Sequence, residues 1–548
     1  MSAAVAGLMV VALWGLAEWA GAVGIARSDD WSYLLTQFEF GRSGEFVMNN
    51  WAVTMLIGQT VAAAPVVAVF GESIAALQAF VAVLSVLALV ATYAFLRSAL
   101  SRGWSWFALV ILAVSPVFGP SVVSFMTDVP ALLFLSLSLL LGVRSFLTLT
   151  VRWWMYAASG LAALVAFTFR DYAIIGFVAV TIVGLLAVRR ARERGLLLLG
   201  LMLVVGSAGA LYAWRHSLPN DLRLDGWDLG FSIQLAARAM LTVSLLVLPA
   251  LAAVAWWRLG FSTKARTGAA WVLAGALAVL VVVIARFELL GNVIHPYGTT
   301  WLVSGGGVRM WPLWVNRSLI VLAALALALA LVLAMVSGRR LIAAYRSGSV
   351  EEFLNRVVRI DIARVTLVIF PLLLLLAHAS ATILLGTWWI DRYFILVLPF
   401  LAGAIVVVAR DFRARITGAT RLLPAVAFAG YAIWGLYVVD FDARFDGARW
   451  SFAEELVAQG YAPAEIDGGM QWVSFHAQDI GLGAQQVPTR PGRNWWTERY
   501  PEQRVCITVS AQESTSAKPP GALWSTSVRT LFGREYVLVA TPGPDQCT

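Results

Sequence analysis

Two carboxylates stand side by side at Asp29-Asp30, directly after the first long apolar run and directly before Trp31-Ser32-Tyr33. Neighbouring acids repel, and beside a low-dielectric surface that repulsion favours one of them as a base near neutral pH. Four further groups carry ionisable residues at the ends of apolar runs. Asp128 stands in Phe125-Met126-Thr127-Asp128-Val129-Pro130, and Arg170-Asp171 follows Phe167-Thr168-Phe169. His295 and Tyr297 fall in the loop 287–314, and Arg392 stands in Trp388-Trp389-Ile390-Asp391-Arg392-Tyr393. Each has an ordinary reading when taken alone. The acid pair is then a solvated helix end, Arg170 with Asp171 and Asp391 with Arg392 are local ion pairs, and Asp128 caps a helix before Pro130. Taken together, carboxylates and isolated arginines suit one task. A carboxylate removes a proton from a hydroxyl, and arginines hold a phosphate leaving group through charge-assisted hydrogen bonds.

The elements that must position these groups are membrane helices. Of 548 residues, 60% are hydrophobic and 13% charged, about half the charge of a soluble globular chain. The 24 tryptophans cluster near the ends of apolar runs, as interfacial belts do. A net charge of +9 would ordinarily raise the question of nucleic acid. Here the basic residues sit in short loops between apolar runs, so they report topology, and no nucleic-acid partner is expected. His216, His378 and His476 are scattered without ligand spacing and read as structural. The sequence has no Cys/His zinc spacing and no P-loop, and Gly305-Gly306-Gly307 is only turn-like.

A spanning helix needs about 20 apolar residues. About thirteen stretches qualify: 3–25, 73–96, 104–119, 122–143, 153–169, 172–188, 195–214, 234–257, 269–286, 315–337, 365–385, 390–409 and 422–439. Alternate loops collect arginine and lysine, among them Arg189, Arg190, Arg192 and Arg194, then Arg339, Arg340 and Arg346, then Arg410, Arg413 and Arg415. The positive-inside rule places those loops and the N-terminus in the cytoplasm, and the five candidate groups on the outer side. The first run lacks a cleavage site and reads as a retained helix. Residues 46–70 are apolar enough to span, but a span there would reverse every later loop. They are expected to form a helix along the outer interface, within a long first outer loop 27–72.

From about Asp440 the composition turns polar, so residues 1–440 read as the membrane domain and 441–548 as a small outer α/β domain. Ala448 to Gln459 has helical spacing before Gly460, and Val505–Ser510 and Glu535–Ala540 read as strands. The two cysteines, Cys506 and Cys547, both fall here, where an outer compartment permits a disulfide.

The order of these pieces resembles the GT-C class of integral membrane glycosyltransferases, and most of all the bacterial relatives of protein O-mannosyltransferases and lipid A aminoarabinose transferases. The resemblance rests on Asp29-Asp30-Trp31-Ser32-Tyr33 in a long first loop, and on Val69-Phe70-Gly71-Glu72-Ser73 closing an interfacial helix. Pro116, Thr127-Asp128-Val129-Pro130, Phe167-Thr168-Phe169-Arg170 and Asp391-Arg392-Tyr393 complete it. Asn49-Asn50-Trp51 stands where the family often has a His-Pro-Pro-like stretch, and Arg170 where it often has lysine. The resemblance implies a mainly α fold and transfer of a sugar from a polyprenyl-phosphate donor to an envelope glycan, lipid or protein acceptor. It implies that Asp29 or Asp30 is the base and that the sugar carbon inverts. Arg170 and Arg392 are then candidates for donor phosphate binding, with Asp128, Asp171, His295 and Tyr297 as further site candidates. Some GT-C enzymes use a divalent metal, for which Asp30 with Asp128 are the candidate ligands. The competing readings are a transporter or flippase of lipid-linked sugars, and a non-catalytic envelope scaffold. A transporter would place its charges near the bilayer midplane, whereas here the span centres are clean.

Overall fold

A computed structural model describes residues 3–49, 51–52, 54–147, 150–218, 228–258, 265–296, 308–346, 361–409, 422–477, 495–498, 500, 504–514, 521–545 and 547. The chain begins with α1 (Ala3–Trp19), α2 (Asp30–Ser43), α3 (Ile57–Phe70), α4 (Ile74–Ala99), α5 (Arg102–Ala113) and the single turn α6 (Phe118–Val122). It continues with α7 (Asp128–Ser145), α8 (Trp153–Phe169), α9 (Ile175–Ala187), α10 (Ala191–Ser217), α11 (Leu229–Leu246), α12 (Leu248–Arg258) and α13 (Ala265–Ile284). Then come α14 (Leu313–Arg346), α15 (Ile362–Leu385), α16 (Leu398–Ala409) and α17 (Leu422–Ala458). The remainder holds β1 (Ile466–Asp467), α18 (Met470–His476), α19 (Trp495–Glu498), β2 (Ile507–Glu513), β3 (Trp524–Arg529) and β4 (Glu535–Pro542).

The molecule is mainly α, and every stretch read as a span holds a helix. Among the described residues, seven helices are long and apolar enough to cross a membrane: α4, α7, α10, α11, α14 through Gly338, α15 and α17 from Pro424. The rest are shorter or broken. Residues 104–119 divide into α5 and α6, and 234–257 break between α11 and α12 at Val247. Outward-facing apolar side chains suit a lipid environment; Met202 and Leu203 on α10 are each 63% exposed. The chain is thus a multi-pass membrane protein.

The apolar run 46–70 divides in two. Among its described residues Ile57–Phe70 form the helix, because those before it are held by local polar bonds. Asn49 accepts the Trp51 N–H through its side chain at 2.9 Å, and its own N–H donates to Thr36 Oγ1 at 3.0 Å. Such side-chain bonds compete with the helix ladder. At the other end, α17 runs unbroken through position 441, and the helix expected at 448–459 is its last three turns. The sheet has the order β1-β2-β4-β3, with β1 parallel to β2 and the other pairs antiparallel. The sequence reading missed β3, a polar edge strand whose residues do not alternate apolar with polar. Cys506 and Cys547 form a disulfide that closes the strand β2 end onto the C-terminal residues, with Cα atoms 5.5 Å apart.

Candidate active site

The segment carrying the acid pair links α1 to α2, and buried polar groups fix it at four points. Gln78 of α4 accepts the Gly24 N–H at 2.8 Å and donates to the Ile25 carbonyl at 2.9 Å. Arg27 pairs with Asp442 at 2.8 Å and with Asp446 at 3.1 Å. Those two acids stand four apart on α17 and so share a face. Gly447 lets α17 come close enough: a Cβ there would lie 2.4 Å from the Ala20 carbonyl oxygen. The third and fourth points belong to Asp30. It is fully buried, and its two oxygens accept the N–H of Arg27 at 2.5 Å and of Phe125 at 3.0 Å. Burial pushes its carboxyl up to about 7, against the two N–H bonds and Arg27.

Asp29 faces elsewhere. Between Arg27 and Asp29 the backbone turns at Ser28, whose φ of 50° is rare for a residue with a side chain. Asp29 is 27% exposed, and Arg392 Nη2 lies 2.6 Å from its Oδ2. Its Oδ1 accepts the Trp51 indole N–H at 3.0 Å. Behind it, Asp128 is fully buried and holds Arg170 at 2.7 Å, with Arg392 Nε at 3.9 Å from the same oxygen. The Tyr172 hydroxyl reaches Asp128 Oδ1 at 3.4 Å, and the Arg170 guanidinium lies 5.0 Å from the Tyr393 ring centre. Tyr33 is buried among these groups, and burial raises its hydroxyl above the usual range despite Arg170 and Arg392. Four charged residues from four distant segments therefore meet in one place. The buried Nε–H groups of both Arg170 and Arg392 have no hydrogen-bond partner among the described residues.

The other candidates are placed differently. Arg170 does not pair with Asp171, whose side chain accepts the Tyr172 N–H at 2.9 Å. Asp128 does not cap α7 with its side chain. Asp391 accepts the N–H groups of Val293 and Ile294 at 2.8 and 2.5 Å and so anchors the loop that carries His295. Burial and the neighbouring Arg238 hold His295 down to about 4, neutral at ordinary pH. Tyr297 lies outside the described residues. Of the two candidate metal ligands, Asp30 accepts backbone N–H groups on both oxygens, and Asp128 holds Arg170 and Tyr172. Among the described residues no three His, Cys, Asp or Glu side chains are grouped to hold a metal.

The sequence reading missed the residues that hold the site. Arg27 stands two residues before Asp29, and the four-residue spacing of Asp442 and Asp446 was a signal for a shared partner. Arg215, at the end of α10, is 3% exposed and donates to the carbonyls of Ala52 at 2.6 Å and Thr54 at 3.3 Å. It thereby clamps the strand of coil next to Trp51.

Residues 61–214 match the dolichyl-phosphate-mannose-protein mannosyltransferase family, over less than half of the chain. No curated protein matches it in sequence. Among solved structures it is similar to ArnT from Cupriavidus metallidurans bound to undecaprenyl phosphate, at 15% identity and a TM-score of 0.38, covering 98% of both chains. It is also similar to the archaeal oligosaccharyltransferase AglB from Archaeoglobus fulgidus in complex with an inhibitory peptide and a dolichol-phosphate. That likeness has 15% identity and a TM-score of 0.43, over 93% of this chain and 68% of the other.

Proposed function

We propose that this chain transfers a sugar from a polyprenyl-phosphate donor to a hydroxyl of a glycan, lipid or protein acceptor on the outer side of the membrane. The observation that carries the reading is the meeting of Asp29, Asp128, Arg170 and Arg392, with an exposed edge only at Asp29. The family match over 61–214 agrees with it, since that family takes mannose from a lipid phosphate. Asp29 is the base in this reading, because it is the partly exposed member of the pair, with Trp51 on its Oδ1 and Arg392 on its Oδ2. The acceptor hydroxyl gives that proton to Asp29 Oδ2 and its oxygen bonds to the sugar carbon. The bond from that carbon to the phosphate oxygen breaks, the oxygen keeps the electron pair, and the carbon inverts. Arg392 and Arg170 hold the departing phosphate. A phosphate needs little protonation to leave, so one base and good anion stabilisation suffice. In this reading the N-terminus is cytoplasmic, the sheet region is outside, and Asp30 is a structural partner of the base.

The test is single-turnover transfer by purified protein from a panel of labelled polyprenyl-phosphate sugars, with a cell-envelope extract as acceptor. Asp29→Asn lowers transfer by about 10²–10⁴-fold, the usual effect of losing a general base. Full transfer by Asp29→Asn removes it from the chemistry, and movement of donor across vesicles without transfer would favour a flippase.

A further inference from the structure

The site is closed on itself. Two arginines meet two carboxylates, and their formal charges cancel: Asp29 with Arg392 at 2.6 Å, Asp128 with Arg170 at 2.7 Å. A carboxylate and a phosphate present the same kind of oxygen pair to a guanidinium, so they compete for its fork of donors. Asp128 is not the carboxylate that gives way, being fully buried and bonded to both Arg170 and Tyr172. Asp29 is partly exposed, and the Trp51 bond to its Oδ1 remains when Oδ2 leaves Arg392. The unpartnered, buried Nε–H groups of Arg170 and Arg392 mark the same place as short of an acceptor.

We infer that the Asp29 carboxylate occupies, on Arg392, the seat of the donor's phosphate, so that donor binding displaces Asp29 and frees its Oδ2 to serve as the base. This rests on the proposed function. It makes one group both the competitor of the donor and the catalyst of its reaction. Before the donor arrives, a hydroxyl or water at the site meets a carboxylate already neutralised by Arg392.

The measurement is the affinity of the purified full-length protein for decaprenyl phosphate, and separately for inorganic phosphate. Asp29→Asn should bind decaprenyl phosphate about tenfold more tightly than wild type, equivalent to about 1.4 kcal/mol. Asp29→Ala should show the same gain, which excludes a new bond from the amide. Arg392→Gln should bind more weakly, and adding Asp29→Asn to it should restore nothing. A gain seen with inorganic phosphate too assigns the competition to phosphate alone; a gain confined to the lipid assigns it to a headgroup delivered by its chain. Unchanged or weaker binding by both Asp29 variants, with Arg392→Gln still weakened, overturns the exchange and leaves the proposed function standing. A gain that persists in the Arg392→Gln background overturns it as well, since it would be a field effect. If neither Asp29 nor Arg392 affects binding, the proposed phosphate site falls with it.

Discussion

Replacing Asp30 by asparagine separates the two members of the acid pair. The native carboxylate accepts two backbone N–H groups, from Arg27 and Phe125, in a fully buried position. Asparagine keeps one acceptor and turns an NH2 toward the second N–H. A protonated carboxyl retains a lone pair on its hydroxyl oxygen, but an amide nitrogen offers none. One buried N–H therefore loses its partner, at a cost of about 1–3 kcal/mol. The same substitution at Asp29 leaves Oδ1 for the Trp51 indole and removes only a partly exposed ion pair, worth about 0–1 kcal/mol. Thermal unfolding of the detergent-solubilised variants, read beside single-turnover transfer, gives opposite patterns. At about pH 5, where the buried carboxyl is protonated, Asp30→Asn melts well below wild type and loses transfer in proportion to its folded fraction, whereas Asp29→Asn melts near wild type and loses transfer outright. Wild-type melting with abolished transfer in Asp30→Asn, and retained transfer in Asp29→Asn, would refute the assignment and make Asp30 the base.

The folded protein holds the Asp30 proton up to about pH 7, whereas an unfolded chain releases it near pH 4. Between those values the folded state binds more protons, so the stability Asp30 contributes falls as pH rises from about 4 to about 7; the melting difference between wild type and Asp30→Asn should shrink across that window and level off above it. Arg215→Ala should release the backbone at Ala52 and Thr54 and loosen Trp51 on Asp29, lowering transfer about tenfold; Trp51→Phe should do the same, and the double variant no worse than either. Additive losses would show that Arg215 acts through something else. A membrane-impermeant thiol reagent should label Ser527→Cys, on the exposed edge of β3, in intact cells; labelling only after lysis would put the sheet region in the cytoplasm.

Much of this was legible in the sequence. The spans follow from runs of apolar residues, and Asp29, Asp128, Arg170 and Arg392 were recognisable because charge at the end of such a run is costly. Their individual assignments were not legible, because local neighbours suggested the wrong partners. Arg170 adjoins Asp171 and Asp391 adjoins Arg392, yet the pairs that form join residues 42 and more than 300 positions apart. Nor could adjacency separate the buried Asp30 from the partly exposed Asp29. That division comes from the turn at Ser28 and from Phe125, a backbone donor that no side-chain pattern reveals. The break before Ile57 was hidden for a related reason: the run is largely apolar, and the bonds that oppose the helix come from Asn49, Thr36 and the distant Arg215.

The unbroken course of α17 ties the sheet region to the segment that carries Asp29. Its 37 residues extend about 55 Å, while the apolar slab of a bilayer takes up about 30 Å. The remainder is a stiff mast without a hinge. The sheet region is lashed to it by Asp440, which accepts the Leu531 N–H at 2.8 Å, and by Arg449, which donates to the Gly468 carbonyl at 2.7 Å. Through Arg27 the same mast is bolted to the segment that carries Asp29. Tilting the sheet region would thus drag Asp29 out of register. If the chain transfers a sugar as proposed, a frame this rigid leaves the compliance to the cargo, which favours acceptors that offer their hydroxyl on a free, flexible end.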